Sequence, residues 1–176
     1  MVTFVNGDIF SSPAQVLTNT VNCVGVMGKG VALEFKNRCP AMFNDYKNRC
    51  DRNEVKPGTP YLWEDDSTQV LNFPTKRHWR EPSLVQDIVD GLKYLAENYG
   101  SMGIQSLAMP ALGCGNGGLS WSEVRPLIET YLGPIPDLDV YIYEPQSAAI
   151  QKQPTDNEPS VTPGQKRKIA ARPPEL

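Results

Sequence analysis

The sequence predicts an α/β protein: a three-layer α/β/α sandwich with a central mixed sheet. Short apolar segments typical of strands alternate along the chain with longer segments whose apolar residues recur at the helical period. The 176 residues are enough for one domain with a substantial core. Because strands separated by helices favour parallel pairing, the sheet is expected to be covered by helices on both faces.

The first half of the chain combines strand-like and helix-like segments. Strands are predicted at residues 2–5, 16–19, 61–63 and 70–73, the last two as a pair bounded by turn residues. Helices are predicted at residues 31–38 and 41–50. Pro40 separates these two helices, because proline lacks the N–H group that a helix interior requires.

The second half contains the clearest helix, which follows Pro82. Ser83 and Gln86 fit a capping box at its start. Its predicted apolar face consists of Leu84, Ile88, Leu92, Leu95, Ala96 and Tyr99. A strand at 105–109, a helix opened by the segment 120–123 and a last strand at 140–143 complete the domain.

Composition changes sharply near the end of the chain. Residues 146–176 contain five prolines and no aromatic residue. Such a segment cannot bury enough apolar surface to offset its chain entropy. The sequence therefore predicts one domain at residues 1–145 followed by a disordered, Pro-rich tail.

The overall composition excludes several classes of protein. A net charge of −3 excludes a strongly basic nucleic-acid binder but allows a local basic patch. No apolar run approaches the ~18 residues of a membrane span, so no membrane partner is expected. The four cysteines form no CxxC pair and no metal-ligand spacing. We therefore expect reduced thiols in a cytoplasmic protein that needs neither metal nor cofactor.

Three segments follow predicted strands, where open α/β sheets place their ligand crevices. Residues 6–9 include Asp8, whose carboxylate can accept a hydrogen bond from an amine. Residues 19–32 carry two asparagines and then three glycines around Lys29, and residues 113–118 contain four glycines. The first loop alone is compatible with ordinary turns. Four glycines in six residues exceed what a strand-to-helix turn requires, so the second loop favours close approach to a ligand. Two such loops, each preceding a helix, predict two walls around a diphosphate.

These segments resemble the signature stretches of macrodomains, a family that binds ADP-ribose and includes members that hydrolyse it from a target. The resemblance covers residues 1 to about 145 in the same order. It implies that Asp8 holds the adenine amine and that the backbone of Ile9 holds the neighbouring ring nitrogen. The remaining ADP-ribose contacts that it implies are Asn19, Thr20, Asn22, Gly28, Lys29, Gly30, Val31, Ala111, Gly113, Cys114, Gly115, Asn116, Gly117 and Gly118.

Residues 72–76, Asn-Phe-Pro-Thr-Lys, are similar to those of the DarG-type antitoxin branch, which removes ADP-ribose from thymine bases in DNA. Relatives that act on protein glutamate pair this lysine with an aspartate where this chain has Gly117. The resemblance therefore implies ADP-ribosylated single-stranded DNA as substrate and a cognate DNA ADP-ribosyltransferase toxin as partner. It also implies a catalytic pair, in which Lys76 acts as a nucleophile or electrostatic catalyst and Asn22 orients the distal ribose hydroxyls.

The segment after Lys76 combines cationic and aromatic side chains. Arg77, His78, Trp79 and Arg80 suit single-stranded DNA, with cations for phosphates and an indole for base stacking. Repulsion from Arg77 and Arg80 would also favour the uncharged amine that nucleophilic attack requires. Trp79 is equally compatible with a role as an anchor in the core.

Two other functions stay open at this point. One is a phosphatase or deacetylase of free ADP-ribose derivatives, which needs no DNA contact. The other is a non-catalytic ADP-ribose-binding module, for which Lys76 is dispensable.

Overall fold

The computed structural model describes residues 1–146. Its strands are β1 (Val2–Val5), β2 (Val16–Asn22), β3 (Tyr61–Glu64), β4 (Gln69–Lys76), β5 (Ser106–Pro110) and β6 (Asp139–Tyr143). Its α-helices are α1 (Gly30–Arg38), α2 (Pro40–Asp51), α3 (Val85–Asn98) and α4 (Trp121–Leu132), and a 3-10 turn spans Ile9–Ser11. Residues 147–176, which hold nearly all of the predicted tail, lie outside the described residues, so the domain boundary stays a prediction.

The six strands form one mixed sheet in the order β1-β6-β5-β2-β4-β3. All neighbouring pairs are parallel except β3 and β4, which are antiparallel. The carboxyl ends of the five parallel strands therefore meet at one edge of the sheet. Within the described part of the chain, each helix is too short or too polar to traverse a bilayer.

Two apolar cores lie on opposite faces of the sheet, which confirms the predicted sandwich. Val70 and Leu71 are adjacent on β4, and both are fully buried, but they belong to different cores. Leu71 packs in the core that includes Ile88 of α3 and Val124 of α4. Val70 packs in the other core, with Phe35 of α1. A strand that is buried on both faces reads as a continuous apolar run.

The predicted capping box at the start of α3 is wrong. The helix begins at Val85 with Leu84 as its N-cap, and no side chain caps it. Leu84 is exposed rather than part of the apolar face. Ser83 is buried, and its backbone N–H donates to the carbonyl oxygen of Gly117 at 2.9 Å. A tertiary contact with a distant loop has therefore replaced the local cap.

Gly91 of α3 permits the close approach of this helix to β4. A Cβ atom at residue 91 would overlap the ring of Phe73, which is fully buried. A side chain at residue 91 would therefore force the helix or the Phe73 ring to move.

We expect Gly91→Ala to lower the free energy of unfolding by about 1–3 kcal/mol, because overpacking strains the core. Chemical denaturation measures this change. Gly100→Ala is the matched control, since a Cβ at residue 100 meets no atom within 4 Å. Alanine has a higher helix propensity than glycine, so stabilisation by Gly91→Ala would contradict the packing role of Gly91.

Candidate functional site

Two adjoining cavities open where the parallel strands end. The larger has a volume of about 690 Å³ and the smaller about 430 Å³. Val31, Pro110 and Tyr143 line both cavities. The two cavities therefore form one continuous groove along the carboxyl edge of the sheet, which is where open α/β sheets bind ligands.

Asn22 closes the loop that follows β2. Its side chain is buried, and its Oδ1 accepts hydrogen bonds from the backbone N–H groups of Val24 at 3.0 Å and Val26 at 3.4 Å. Its Nδ2 donates to the carbonyl oxygen of Val26 at 2.7 Å, and the Tyr46 hydroxyl lies 2.8 Å from its Oδ1. The loop thus needs both the donor and the acceptor of an asparagine. Asn22 also lines the larger cavity, where its second amide hydrogen is the group suited to a ribose hydroxyl.

The first glycine-rich loop ends at the N-terminus of α1. Lys29 is the N-cap residue, and no side chain satisfies the first N–H groups of the helix. Gly30 has φ +58°, a left-handed conformation that favours glycine. Gly28, Lys29 and Val31 line the larger cavity with Gly30. The unpaired N–H groups and the helix dipole together suit an anionic ligand such as a diphosphate.

The second glycine-rich loop forms the opposite wall. Ala111, Gly113, Cys114, Gly115, Asn116 and Gly117 line the larger cavity. A Cβ at Gly117 would overlap the Ser83 hydroxyl and the carbonyl oxygen of Gly113. Gly117 is therefore required by the packing of the loop itself, and an aspartate cannot replace it without moving the loop. A Cβ at Gly115 meets nothing within 4 Å, so this glycine leaves open space for a ligand.

Cys114 is a poor candidate for a nucleophile although it lines the cavity. Burial, followed by the charge of Glu123, raises the pKa of the Cys114 thiol to about 11. A thiol with this pKa is almost entirely protonated at neutral pH, and the thiolate is the reactive form.

Lys76 lies at the carboxyl end of β4, beside Asn22. An irregularity between Val21 and Asn22 shifts the register of β2 so that Asn22 pairs with Lys76. The Lys76 amine donates to the carbonyl oxygen of Trp79 at 3.4 Å. Lys76, Asn22 and both glycine-rich loops line the same cavity. The structure therefore brings together the predicted catalytic pair and the predicted diphosphate walls.

The segment after Lys76 is anchored by an ion pair. The Arg77 guanidinium donates to both carboxylate oxygens of Asp87, at 3.0 and 3.1 Å. Asp87 is buried, whereas the Arg77 side chain is 57% exposed. Arg77 lines neither cavity, and its charge is balanced by Asp87, so the predicted repulsion that it would exert on the Lys76 amine is offset. The Arg77 guanidinium therefore binds Asp87 of the same domain and does not face the groove.

Trp79 is exposed at the mouth of the larger cavity. Its indole stacks on His78 with 5.4 Å between ring centres, and the Arg80 guanidinium lies 4.5 Å from its ring centre. The Trp79 residue is 45% exposed and lines the cavity, so the alternative in which it anchors the loop in the core is wrong. His78 and Arg80 line neither cavity, and both pack against the indole ring.

Asp8 and Ile9 lie at the far end of the groove, in the smaller cavity. Asp8 Oδ1 accepts a hydrogen bond from the backbone N–H of Phe10 at 3.0 Å and so caps the 3-10 turn. A carboxylate has a second oxygen, which is suited to an amine donor. The exposed position of Asp8 agrees with its predicted role toward adenine.

The structure places two of the predicted contacts away from the groove. Asn19 is fully buried, and its amide donates to Asn72 Oδ1 at 3.2 Å. Because side chains alternate along β2, Asn19 points into the core while Thr20 lines the larger cavity. Gly118 lines neither cavity, and its φ of +77° serves the turn before α4. Asn19 and Gly118, predicted as ligand contacts, therefore do not line the groove.

Several residues that line the groove were missed in the sequence. Thr75, Pro110, Tyr143, Glu144 and Pro145 line the larger cavity. Each of these residues lies at or just beyond the end of a strand. Their position at the edge of the sheet, and not their residue type, is therefore the feature of the sequence that could have identified them. Glu144 Oε1 accepts hydrogen bonds from Arg125 at 2.6 Å and Trp121 at 3.3 Å.

Several known proteins resemble this chain in sequence. The sequence profile of the Macro domain family matches residues 18–128. A DNA ADP-ribosyl glycohydrolase of Mycobacterium tuberculosis is 42% identical over 153 residues, which are 85% of this chain and 44% of that protein. A DNA ADP-ribosyl transferase-DNA ADP-ribosyl glycohydrolase fusion protein of Thermosipho africanus is 42% identical over 163 residues, covering 82% of this chain and 42% of that protein. The chain thus spans less than half the length of these relatives.

Solved structures show the same fold. The macrodomain of Mycobacterium tuberculosis DarG has a TM-score of 0.80 and 43% identity, covering 82% of this chain and 98% of that one. Thermosipho africanus DarTG in complex with ADP-ribose has a TM-score of 0.79 and 43% identity, covering 82% of this chain and 42% of that one. The resemblance to DarG-type macrodomains is therefore confirmed. The chain belongs to the Macro domain family.

Proposed function

We propose that this domain is a DNA ADP-ribosyl glycohydrolase that removes ADP-ribose from thymine bases in single-stranded DNA. The observation that carries the proposal is the position of Lys76, beside Asn22 and in one cavity with both glycine-rich loops. The Mycobacterium tuberculosis relative, which is 42% identical, is named a DNA ADP-ribosyl glycohydrolase. The groove then holds the ligand, and Lys76 acts at one end of it.

The groove matches the order of chemical groups in ADP-ribose. Asp8 and Ile9 receive adenine in the smaller cavity, and the N-terminus of α1 receives the diphosphate in the larger one. The distal ribose then reaches Asn22 and Lys76. This arrangement separates the binding of the ligand from the bond that is cleaved.

Lys76 supplies the nucleophile in this proposal. Its amine nitrogen forms a bond to the anomeric carbon of the distal ribose while the bond from that carbon to the thymine nitrogen breaks. Thymine leaves with the electron pair of the broken bond and takes up a proton. Water then attacks the same carbon, which releases ADP-ribose and restores the amine.

DNA enters beside Trp79 in this proposal. The exposed indole lines the cavity that contains Lys76 and packs against His78 and Arg80. An aromatic ring of this kind stacks on a nucleobase of any sequence. Arg77 is already paired with Asp87, so we assign it to positioning the segment rather than to phosphate contact.

The proposed partner is a cognate DNA ADP-ribosyltransferase toxin, whose modification the domain reverses as an antitoxin. The Thermosipho africanus relative is a fusion of a DNA ADP-ribosyl transferase with a DNA ADP-ribosyl glycohydrolase. A cytoplasmic location accords with a DNA substrate and with the four cysteines, which are free within residues 1–146.

Lys76→Ala should abolish the release of ADP-ribose from modified single-stranded DNA and leave the affinity for free ADP-ribose within a few-fold. Binding and chemistry rest on different residues, so turnover and affinity separate. Lys76→Arg should also be inactive, because a guanidinium stays protonated and cannot attack. Product release measured by chromatography and binding measured by calorimetry test both variants.

Lys93→Ala is the control for these variants, because Lys93 lies on α3 and lines neither cavity. Near-normal turnover by Lys76→Arg would disprove the nucleophile role, since only the positive charge would then be needed. Hydrolysis of free ADP-ribose 1″-phosphate or of an acetylated ADP-ribose, without action on DNA, would support the alternative enzyme. Full activity of Lys76→Ala on DNA would overturn the assignment of Lys76.

Asp8→Ala should weaken ADP-ribose binding by about 1.5–3 kcal/mol, through loss of a charge-assisted hydrogen bond to the adenine amine. Asp8→Asn is the matched variant, because its amide oxygen can still cap the 3-10 turn. Calorimetry with the hypoxanthine analogue of ADP-ribose, which lacks the amine, isolates the contact. If wild type binds both ligands equally, Asp8 does not recognise the amine.

Trp79→Ala should raise KM for the modified oligonucleotide by about 5- to 150-fold, because stacking of one base contributes about 1–3 kcal/mol. Trp79→Phe should retain most of the affinity, since its ring still stacks. Steady-state kinetics on oligonucleotides of increasing length measures the effect. An unchanged KM in Trp79→Ala would show that DNA does not pass over the indole.

A further inference from the structure

Glu144 lies on the chain segment that runs past both cavities. It directly follows Tyr143, which lines both cavities, and it lines the larger cavity itself. Gln146, two residues further, lines the smaller cavity. The chain beyond β6 therefore crosses the groove between the end that holds Asp8 and the end that holds Lys76.

One oxygen of this carboxylate is held by the protein. Glu144 Oε1 accepts hydrogen bonds from Arg125 Nη1 at 2.6 Å and from Trp121 Nε1 at 3.3 Å. The Arg125 guanidinium also lies 3.8 Å from the ring centre of Phe4, and that ring makes an edge contact with Trp121. These contacts from β1 and α4 hold the carboxylate in a defined orientation.

The other oxygen, Oε2, accepts no hydrogen bond from any residue in the range 1–146. The Glu144 side chain is 25% exposed, and Oε2 is not one of the fully buried polar atoms that lack a partner, so this oxygen is accessible to a ligand. An ionised carboxylate is an acceptor only. The ligand group that suits Oε2 is therefore a hydrogen-bond donor.

The connectivity of ADP-ribose identifies that donor. Its adenosine ribose lies between adenine and the diphosphate, so with adenine at Asp8 and the diphosphate at α1 this ribose occupies the junction of the cavities. The ribose carries two neighbouring hydroxyl groups. Acidic side chains bind the ribose hydroxyls in many dinucleotide sites, and they select against a phosphate at the same position.

We propose that Glu144 is a specificity-determining residue of the groove. Its Oε2 accepts a hydrogen bond from a hydroxyl of the adenosine ribose, and its negative charge rejects ADP-ribose that carries a 2′-phosphate on this ribose. The domain then selects ADP-ribose derived from NAD over that derived from NADP. This inference rests on the proposed function, since it takes ADP-ribose as the ligand.

The test compares four ligands by calorimetry: ADP-ribose, its 2′-deoxy and 3′-deoxy forms in the adenosine ribose, and its 2′-phosphate. Wild type should bind at least one deoxy form, and the 2′-phosphate, about 10- to 100-fold more weakly than ADP-ribose, as expected for a hydrogen bond to a charged group. Glu144→Gln should bind ADP-ribose about tenfold more weakly and should lose most of its discrimination against the other ligands.

Glu129→Gln is the matched control. Glu129 lies 3.7 Å from the same Arg125 on α4 but lines neither cavity, so this variant should keep both the affinity and the preference of wild type. Melting temperatures of both variants report on folding independently of the ligand.

The outcomes separate the two proposals. If Glu144→Gln weakens binding of all four ligands by the same factor, Glu144 acts only through the structure, and the inference is overturned. Equal binding of all four ligands by the wild-type protein would also overturn the inference about Glu144, but it would leave the proposed function intact. If the wild-type protein does not bind ADP-ribose at all, both the proposed function and this inference are overturned.

Discussion

Parallel pairing of β2 with β4, deep inside the sheet, is the constraint on which the site depends. β4 is buried on both faces, so its register is specified by two apolar cores at once. The register shift before Asn22 brings this residue beside Lys76. Because parallel strands end at one edge, β5 and β6 deliver the second glycine-rich loop and Glu144 to the same groove. The site is thus assembled by the sheet, and the loops complete it.

The loops in turn are held by contacts that leave little freedom around Lys76. Asp87 of α3 fixes Arg77, and the backbone N–H of Ser83 donates to the carbonyl oxygen of Gly117. The segment between Lys76 and α3 is therefore tied at one end to a helix and at the other to the second glycine-rich loop. Such anchoring presents Trp79 to solvent and keeps the lysine amine at the cavity wall, which suits a site whose chemistry needs fixed positions.

Tertiary contacts override several local patterns in this sequence. Ser83 and Gln86 satisfy the pattern of a capping box, but burial of Ser83 against Gly117 outweighs a local cap that contributes about 1 kcal/mol. Asn19 shares a polar segment with Asn22, yet the alternation of side chains along β2 sends it into the core. Gly117 is required by the loop packing, although a glycine-rich composition by itself indicates only close approach to a ligand.

The sequence by itself determined the alternation of strands and helices, the two glycine-rich loops and the candidate lysine, because these depend on local periodicity and residue type. Tertiary structure alone decided which side chains face the groove. The pairing of Arg77 with Asp87 and the anchoring of Glu144 by Arg125 and Trp121 join residues that are 10, 19 and 23 positions apart. Contacts of this kind depend on the strand order and on helix packing, which no local pattern of residues specifies.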